Sequence, residues 1–328
     1  MIKISLSLVF LLLLLVPVSA LSSANTTSYS LVHLSDTQNL ATRFPKTYDY
    51  TFSYLESVKT RYNISAIIIT GDLVNTWDSK KEWDAYSHAV NKTTIPVYVI
   101  AGNHDTNNGK NYRYFTGITG NPMESYVTRV ENFDLVGINY LDTSLKSQDF
   151  AALRKSLLLS PENFTIIATH NYMDKNGILS PLGRDIDHQL IVKPTLIMAG
   201  HVRAAFVRDR MIGGYPVIED LTNYQNGIPL GDSSKNISAG TFYTVSTRDG
   251  MVEKISSRTI WITPRQFLDR EQVVYDISAP EHGAGSLQSD LIADDNSTQR
   301  GMGAPLVTVT DSVQNSVREL LNELFWFY

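Results

Sequence analysis

Cysteine is absent from all 328 residues of the chain. That absence excludes a disulfide framework, a lipid-modified N-terminal cysteine, a cysteine nucleophile and thiolate metal ligands together. No Gly-x-Ser-x-Gly occurs either, which argues against a serine hydrolase built on that turn. The formal net charge is -5 and no basic run stands out, so nucleic acid is not an expected partner. Past residue 20 nothing is apolar enough to span a membrane, and no internal repeat is visible. Hydrophobic residues make up 43 % of the chain, enough for a sizeable core in one large domain or two small ones.

Residues 1–20 read as a secretory signal. Lys3 supplies the positive start, Ile4 to Val18 are largely apolar with Leu11 to Leu15 at their centre, and Val18-Ser19-Ala20 offers small residues for cleavage. A retained anchor is the lesser reading, because the stretch is short for a spanning helix. The expected location is secreted or on the exterior of the cell envelope. A disulfide-free exported chain suits a prokaryotic one. Six Asn-x-Ser/Thr sites, at Asn25, Asn63, Asn91, Asn163, Asn236 and Asn296, leave glycosylation open.

From Tyr29 to about Thr263 short apolar runs alternate with amphipathic ones. Ser30–Leu34, Ala66–Thr70, Val97–Ala101, Leu135–Leu141, Thr165–Thr169 and Leu196–Ala199 read as strands. Tyr48–Tyr62, Ser79–Val90 and Phe150–Leu159 carry helical spacing, with Asp78 a plausible start for the second. Such alternation predicts sheets covered by helices, with mixed strand directions. Residues 106–124 lack periodicity and are expected to form a long loop over a strand edge. The expected organisation is a domain over 29–276, a Gly/Ser/Asp/Pro-rich linker over 277–304, and a short strand and amphipathic helix over 305–328. The stripe Val313, Val317, Leu320, Leu321 and Leu324 predicts docking on the domain or self-association.

The chemistry gathers after the strands. Asp36-Thr37-Gln38 follows the first, Gly71-Asp72 the second and Gly102-Asn103-His104-Asp105 the third, while Thr169-His170-Asn171 and Gly200-His201-Val202-Arg203 end two later ones. In open α/β sheets the carboxyl edge is where ligands bind. Carboxylate, amide oxygen and imidazole suit Mn, Fe or Zn, and no thiolate competes.

The order and spacing of these motifs over about 29–263 resemble the calcineurin-like metallophosphoesterases, whose signature is D-x-H, G-D, G-N-H-D/E, a lone H and G-H-x-H. Asp220-Leu221-Thr222-Asn223-Tyr224-Gln225 is similar to a segment of secreted members that carry D-T-Q in place of D-x-H. The resemblance implies a four-layer α-β-β-α sandwich of two sheets flanked by helices. It also implies hydrolysis of a small phosphate monoester or diester by metal-activated hydroxide attack. Asp72 would bridge two ions, and Asn103, His170 and His201 would complete one site. Asp36 would belong to the other, with the positions of Gln38 and Arg203, and His104 would stand beside the leaving-group oxygen.

Two departures fall on that second site. Gln38 replaces a histidine by a weaker amide oxygen. Arg203 replaces the last histidine by a guanidinium that cannot ligate a cation. The expectation is one tight site and a second that is weaker or absent, with Arg203 clamping a phosphate oxygen in catalysis. Asn75 stands where purple acid phosphatases carry a tyrosine ligand, which disfavours a purple iron site. The alternative is a non-catalytic single-metal binding protein on the same scaffold at the cell surface. His33, His88, His188 and His282 receive no role, and Asp142 is weighed as a ligand-orienting residue against a turn cap. Tyr112, Arg113 and Tyr114 are weighed as substrate contacts against aromatic residues tucked into the core.

Overall fold

A computed structural model describes residues 25–123, 125–140, 164–174, 178–189, 195–201, 208–212, 215–219, 238–262, 266–267 and 272–276. All belong to the first of two units, Met1–Ser286; the second is Leu287–Tyr328. The expected signal, linker and C-terminal helix, the helix expected over Phe150–Leu159, Asp142, Arg203 and the run 220–225 lie outside the described residues. Among the described residues no helix is long and apolar enough to cross a membrane.

The chain forms two sheets. The first holds β1 (Thr26–Leu34), β2 (Ile64–Thr70), β3 (Val97–Ile100), β10 (Ala239–Arg248), β11 (Met251–Trp261), β12 (Gln266–Phe267) and β13 (Gln272–Asp276). Its order is β12-β11-β10-β1-β2-β3, with β13 also on β11. The second holds β4 (Tyr126–Val130), β5 (Phe133–Ile138), β6 (Phe164–Thr169), β7 (Thr195–Ala199), β8 (Arg208–Ile212) and β9 (Tyr215–Glu219), in the order β4-β5-β6-β7-β9-β8. β1, β2 and β3 are parallel, as are β5, β6, β7 and β9, so each sheet sends several carboxyl ends to one edge.

Period-two alternation on these strands builds the layers. Val32, Leu34, Ile67 and Ile69 face one way, under Tyr48, Phe52, Leu55, Trp83 and Tyr86 of helices α2 (Pro45–Tyr62) and α3 (Lys80–Val90). Their neighbours Leu31, Ala66 and Ile68 face the other way, into a second core shared with Leu135, Ile166, Ala168, Leu196 and Met198 of the opposite sheet. On that sheet's outer face Val136, Ile138, Ile167 and Ile197 pack with Ile186 of α5 (Pro181–Gln189). The result is the expected α-β-β-α order, with strands buried on both faces as continuous apolar runs.

Local chemistry sets the ends. α1 (Gln38–Arg43) leads into α2, which opens with Pro45 at its first turn and closes at Asn63 with a left-handed φ of 46°. Two expectations change. The stretch 106–124 is not all loop: Arg113–Thr119 forms the short helix α4, closed by Gly120 at φ 72°. Its anchors are Phe115, fully buried, and Tyr112, 6 % exposed; two apolar residues three apart are too few to register as a period. The strand expected over 135–141 is instead Phe133–Ile138, because the next residue, Asn139, turns its amide to Ala101 N and to the carbonyls of Pro122 and Met123.

Candidate metal centre

The polar residues after five strands come together at one edge. Asp36 follows β1, Asp72 follows β2, Asn103 and His104 follow β3, His170 follows β6 and His201 follows β7. The chain turns there in left-handed backbone, at Asp36 (φ 53°), Gly71 (92°), Asp72 (55°) and His201 (71°). For a residue with a Cβ such a conformation costs on the order of 1–3 kcal/mol, and it clusters at functional sites.

Glycine provides the close approach. A Cβ on Gly71 would lie 2.5 Å from His170 Nδ1, and one on Gly200 would lie 2.6 Å from Asp36 Oδ2. A Cβ on Gly102 would collide with the Asp72 carboxylate. The strand ends therefore fit around the side chains only because these positions carry none.

His170 is the centre of the cluster. Its Nδ1 donates to the Thr70 carbonyl at 2.7 Å, which fixes the ring and leaves Nε2 to face the site. Around that Nε2 stand Asn103 Oδ1 at 3.0 Å, His201 Nδ1 at 3.0 Å and Asp72 Oδ1 at 3.3 Å. Tyr140 packs against both imidazoles, its ring centroid 6.0 Å from His170 and 6.2 Å from His201. His170 is fully buried and Asp72 is 2 % exposed.

A second group flanks the first. His104 gives its backbone N–H to Asp72 Oδ1 at 3.0 Å and its Nδ1 to the Asn75 carbonyl at 2.8 Å. Its Nε2 is then turned toward the site, 4.0 Å from Asp72 Oδ2, on a side chain 37 % exposed. Gln38 donates Nε2 to Asp72 Oδ2 at 3.1 Å. Asp36 Oδ2 accepts the His201 N–H at 3.0 Å. Asp36 Oδ1 and Gln38 Oε1 are buried without a hydrogen-bond partner among the described residues.

Two further carboxylates hold the loop after β2. Asp105, fully buried, accepts from Leu73 N at 2.7 Å and Val74 N at 3.1 Å with one oxygen, and from Gly102 N at 2.8 Å with the other. Glu82 accepts from Asn75 N at 2.7 Å and Thr76 N at 3.0 Å. Through them the carbonyl that orients His104 is itself fixed.

The charges are mutually dependent. Burial pushes Asp36 up to about 6, with Asp72 adding to the rise and His170 opposing it. Burial and Asp72 push Asp105 up to about 7. Burial would also raise Asp72, but His170 and the hydrogen bonds from His170 and His104 hold it below the usual carboxylate value. Burial would lower His170, yet the carboxylates of Asp72 and Asp36 and the bond to Thr70 raise it to about 9. The cage that draws a proton onto His170 is built to hold positive charge.

The donor set fits a divalent cation. Asp72, His170 and His201 place a ligand atom each within 4.8 Å of one another, and the Asn103 amide oxygen stands beside them. Two ligand atoms at right angles on one ion, each ~2.1 Å from it, are ~3 Å apart, which matches the contacts around His170 Nε2.

The family model for calcineurin-like phosphoesterases matches residues 29–203. The chain belongs to that family. The match covers β1 through the turn after β7 and so includes all of the converging strand ends. The uncharacterized protein YvnB of Bacillus subtilis (strain 168) is 28 % identical over 229 residues, which are 61 % of this chain and 18 % of that protein. The chain thus spans less than a fifth of that relative's length. The fold is similar to purple acid phosphatase PPD1 from yellow lupin (Lupinus luteus) seeds, with a TM-score of 0.54 at 12 % identity over 75 % of this chain and 53 % of that one.

Of the residues expected from sequence, Asp36, Gln38, Asp72, Asn103, His104, His170 and His201 meet at this edge, while Arg203 lies outside the described residues. Tyr112 is buried and its hydroxyl donates to the Tyr140 carbonyl. Tyr114 lies edge-on to Trp77, and Arg113 is exposed. His33 is buried, with Nε2 2.8 Å from Thr70 Oγ1, and His88 pairs with Asp49 at the surface. Sequence reasoning missed Asp105 as a clamp, Glu82 and Tyr140. For Asp105 the signal was its place in the tetrapeptide; Glu82 and Tyr140 carried none.

Proposed function

We propose that the protein is an exported hydrolase of phosphate monoesters or diesters that works at this edge. The observation that carries the reading is the convergence of Asn103 Oδ1, His201 Nδ1 and Asp72 Oδ1 on His170 Nε2 at 3.0–3.3 Å. Asp72, Asn103, His170 and His201 would hold a divalent ion of Mn, Fe or Zn. When bound, such an ion activates water and neutralises charge developing at phosphorus.

The chain's own residues do the rest. Asp72 is fixed by the His104 N–H and the Gln38 amide, so its carboxylate does not have to reorganise during the reaction. His104, with Nδ1 committed to the Asn75 carbonyl, turns Nε2 to the site as the atom that would face the leaving oxygen. Tyr140 walls the imidazole side. Arg203 is proposed to clamp a phosphate oxygen, bidentate recognition being what guanidinium does best. Export rests on residues 1–20, and self-association on the C-terminal stripe.

A non-catalytic metal-binding protein is the second reading. It is favoured by the Gln38 amide, which occupies Asp72 Oδ2 where a second ion would sit. The oriented His104 counts against it, since a binder has no use for a proton at that edge.

The test is turnover of p-nitrophenyl phosphate and its bis ester by the purified protein, with Mn added or with chelator, beside the Asn103→Ala/His170→Ala double variant. Metal-dependent turnover lost in the variant supports the hydrolase, and the preferred ester sets the substrate class. No turnover with Mn, Fe or Zn, despite one tightly held ion, passes the case to the binding protein.

A further inference from the structure

The outer face of the first sheet changes character along β1. Val32 lies opposite Phe242, and Phe242 opposite Arg258; two residues earlier on β1, Ser30 lies opposite Thr244, and Thr244 opposite Ser256. Period-two alternation keeps both rows on one face, the face on which Val32 and Phe242 pack with the residues of α2. The earlier row is three hydroxyls side by side. Two of them, Ser30 and Ser256, are buried, each 4 % exposed. The row before it, Ser28, Ser246 and Lys254, stays polar, with Asp276 of β13 opposite Lys254. A covered sheet face is ordinarily apolar, so the hydroxyl row forgoes burial energy that Val or Ile would supply there.

A cavity of about 140 Å³ occupies this place, and Ser30, Tyr62, Phe242, Thr244, Ser256 and Arg258 line it. Tyr62 ends α2. Its ring stands 5.2 Å from that of Phe242, centroid to centroid, and the Arg61 guanidinium lies 5.3 Å over it, so the aromatic wall is held in place. Tyr62, Thr244 and Arg258 are half-buried, which opens the space to solvent. The metal edge is elsewhere. Ser30 stands four residues before Leu34, the end of β1, roughly 13 Å along the strand.

Each wall selects a different part of a ligand. Hydroxyls both donate and accept hydrogen bonds, which matches the hydroxyls of a sugar. Aromatic rings offer a flat apolar face to the C–H side of a saturated ring. A guanidinium pairs with a carboxylate through two parallel N–H bonds. A space of ~150 Å³ admits one six-membered ring. We propose that this cavity binds a hexuronate, a single pyranose ring that carries a carboxylate. Arg258 takes the carboxylate, Ser30, Thr244 and Ser256 take ring hydroxyls, and Tyr62 and Phe242 take the ring face. The site is separate from the metal centre and does not depend on what that centre does.

The test is ligand-observed NMR titration of the full chain, in chelator, with glucuronate, glucose and acetate as probes. Glucuronate binds with a Kd on the order of 1 mM, weakened by salt. Glucose, which lacks the charge, and acetate, which lacks the ring, each bind about 10-fold more weakly or worse. Arg258→Gln removes the preference for glucuronate over glucose, and Tyr62→Leu weakens both sugars. Thr244→Val, at a half-buried position, also weakens both and keeps the test decisive if the Tyr62 variant does not fold. The Asn103→Ala/His170→Ala variant binds glucuronate as the unaltered chain does. No binding of glucuronate, equal binding of glucose or of acetate, or a preference unmoved by Arg258→Gln would overturn the inference. So would glucuronate binding that requires Mn²⁺ or is lost in the double variant, since that would place the sugar at the metal centre.

Discussion

His170 and His201 meet nitrogen to nitrogen, Nε2 to Nδ1 at 3.0 Å, with ring centroids 4.7 Å apart. Each ring stands at the end of a neighbouring parallel strand. His170 is further committed through Nδ1 to the Thr70 carbonyl of the opposite sheet. Two imidazoles, an amide oxygen and a carboxylate in one buried space repel one another unless a proton or a cation lies among them. The fold supports this arrangement because the rings, turns and glycines around it are interlocked.

Metal removal should destabilise the protein. An ion that binds only the folded chain stabilises it by about 4 kcal/mol at a thousandfold excess over its Kd. Thermal scans with Zn²⁺ or Mn²⁺ should show a raised Tm that chelator abolishes. The Asn103→Ala/His170→Ala variant should show no metal-dependent rise.

His104→Ala should spare metal content and reduce turnover. The ring is 37 % exposed and makes its Nδ1 bond to a loop carbonyl, so little packing is lost. Loss of a positioned acid lowers kcat on the order of 10²–10⁴-fold, with the larger losses on esters of poor leaving groups. Equal losses across a leaving-group series would sink the assignment.

Asp105→Ala should be among the most damaging substitutions at this edge. Three backbone N–H groups, of Leu73, Val74 and Gly102, lose their acceptor, and buried donors left unpaired cost roughly 3–5 kcal/mol together. Denaturant titration of the metal-free protein should show that loss. Metal affinity should fall as well, because Gly102 and the Asp72 turn are tied to the same carboxylate.

Gly71→Ala should weaken metal binding from a distance of one Cβ. The backbone sits at φ 92° and the new atom would lie 2.5 Å from His170 Nδ1. Strain of about 1–3 kcal/mol falls on a ring that cannot move without breaking its bond to Thr70. Calorimetric titration with Zn²⁺ checks this, a wild-type Kd being the contrary result.

Acid stability should depend on Glu56, far from the site. Its carboxylate accepts from Thr94 N at 2.8 Å, Thr93 Oγ1 at 2.8 Å and Thr94 Oγ1 at 2.9 Å. The Thr94 N–H leads in holding it below its usual value, followed by the Thr93 hydroxyl. A carboxylate lowered in the folded state contributes stability that is present above its unfolded pKa, near 4.5, and is lost as pH falls through the folded value. Glu56→Gln should therefore flatten the stability profile in the window between the unfolded and the folded value, and leave metal binding unchanged.

The strand ends were legible because each polar cluster follows a short, fully apolar run, and parallel strands carry such clusters to a shared edge. The α3 boundaries were legible from Asp78 and the helical spacing over Ser79–Val90, whereas α2 ends at Tyr62 as expected but begins at Pro45, three residues before the expected Tyr48. The hairpin of β10 and β11 was within reach too. Asp249-Gly250 turns it at φ 51° and 84°, the pattern of a tight turn with both residues left-handed, and the apolar-run reading passed over it.

What the sequence determined by itself was the set of residues that bear chemistry and the strand each one follows, since periodicity and turn chemistry are local. Only the tertiary structure decided which atoms face which. The Asp105 clamp, the Asn75 carbonyl behind His104, the Tyr140 wall and the end of the Gln38 amide turned to Asp72 all join residues distant in sequence. Their geometry depends on how two sheets stack and how closely Gly71, Gly102 and Gly200 let the strand ends approach. Spacing along one chain carries no record of that distance.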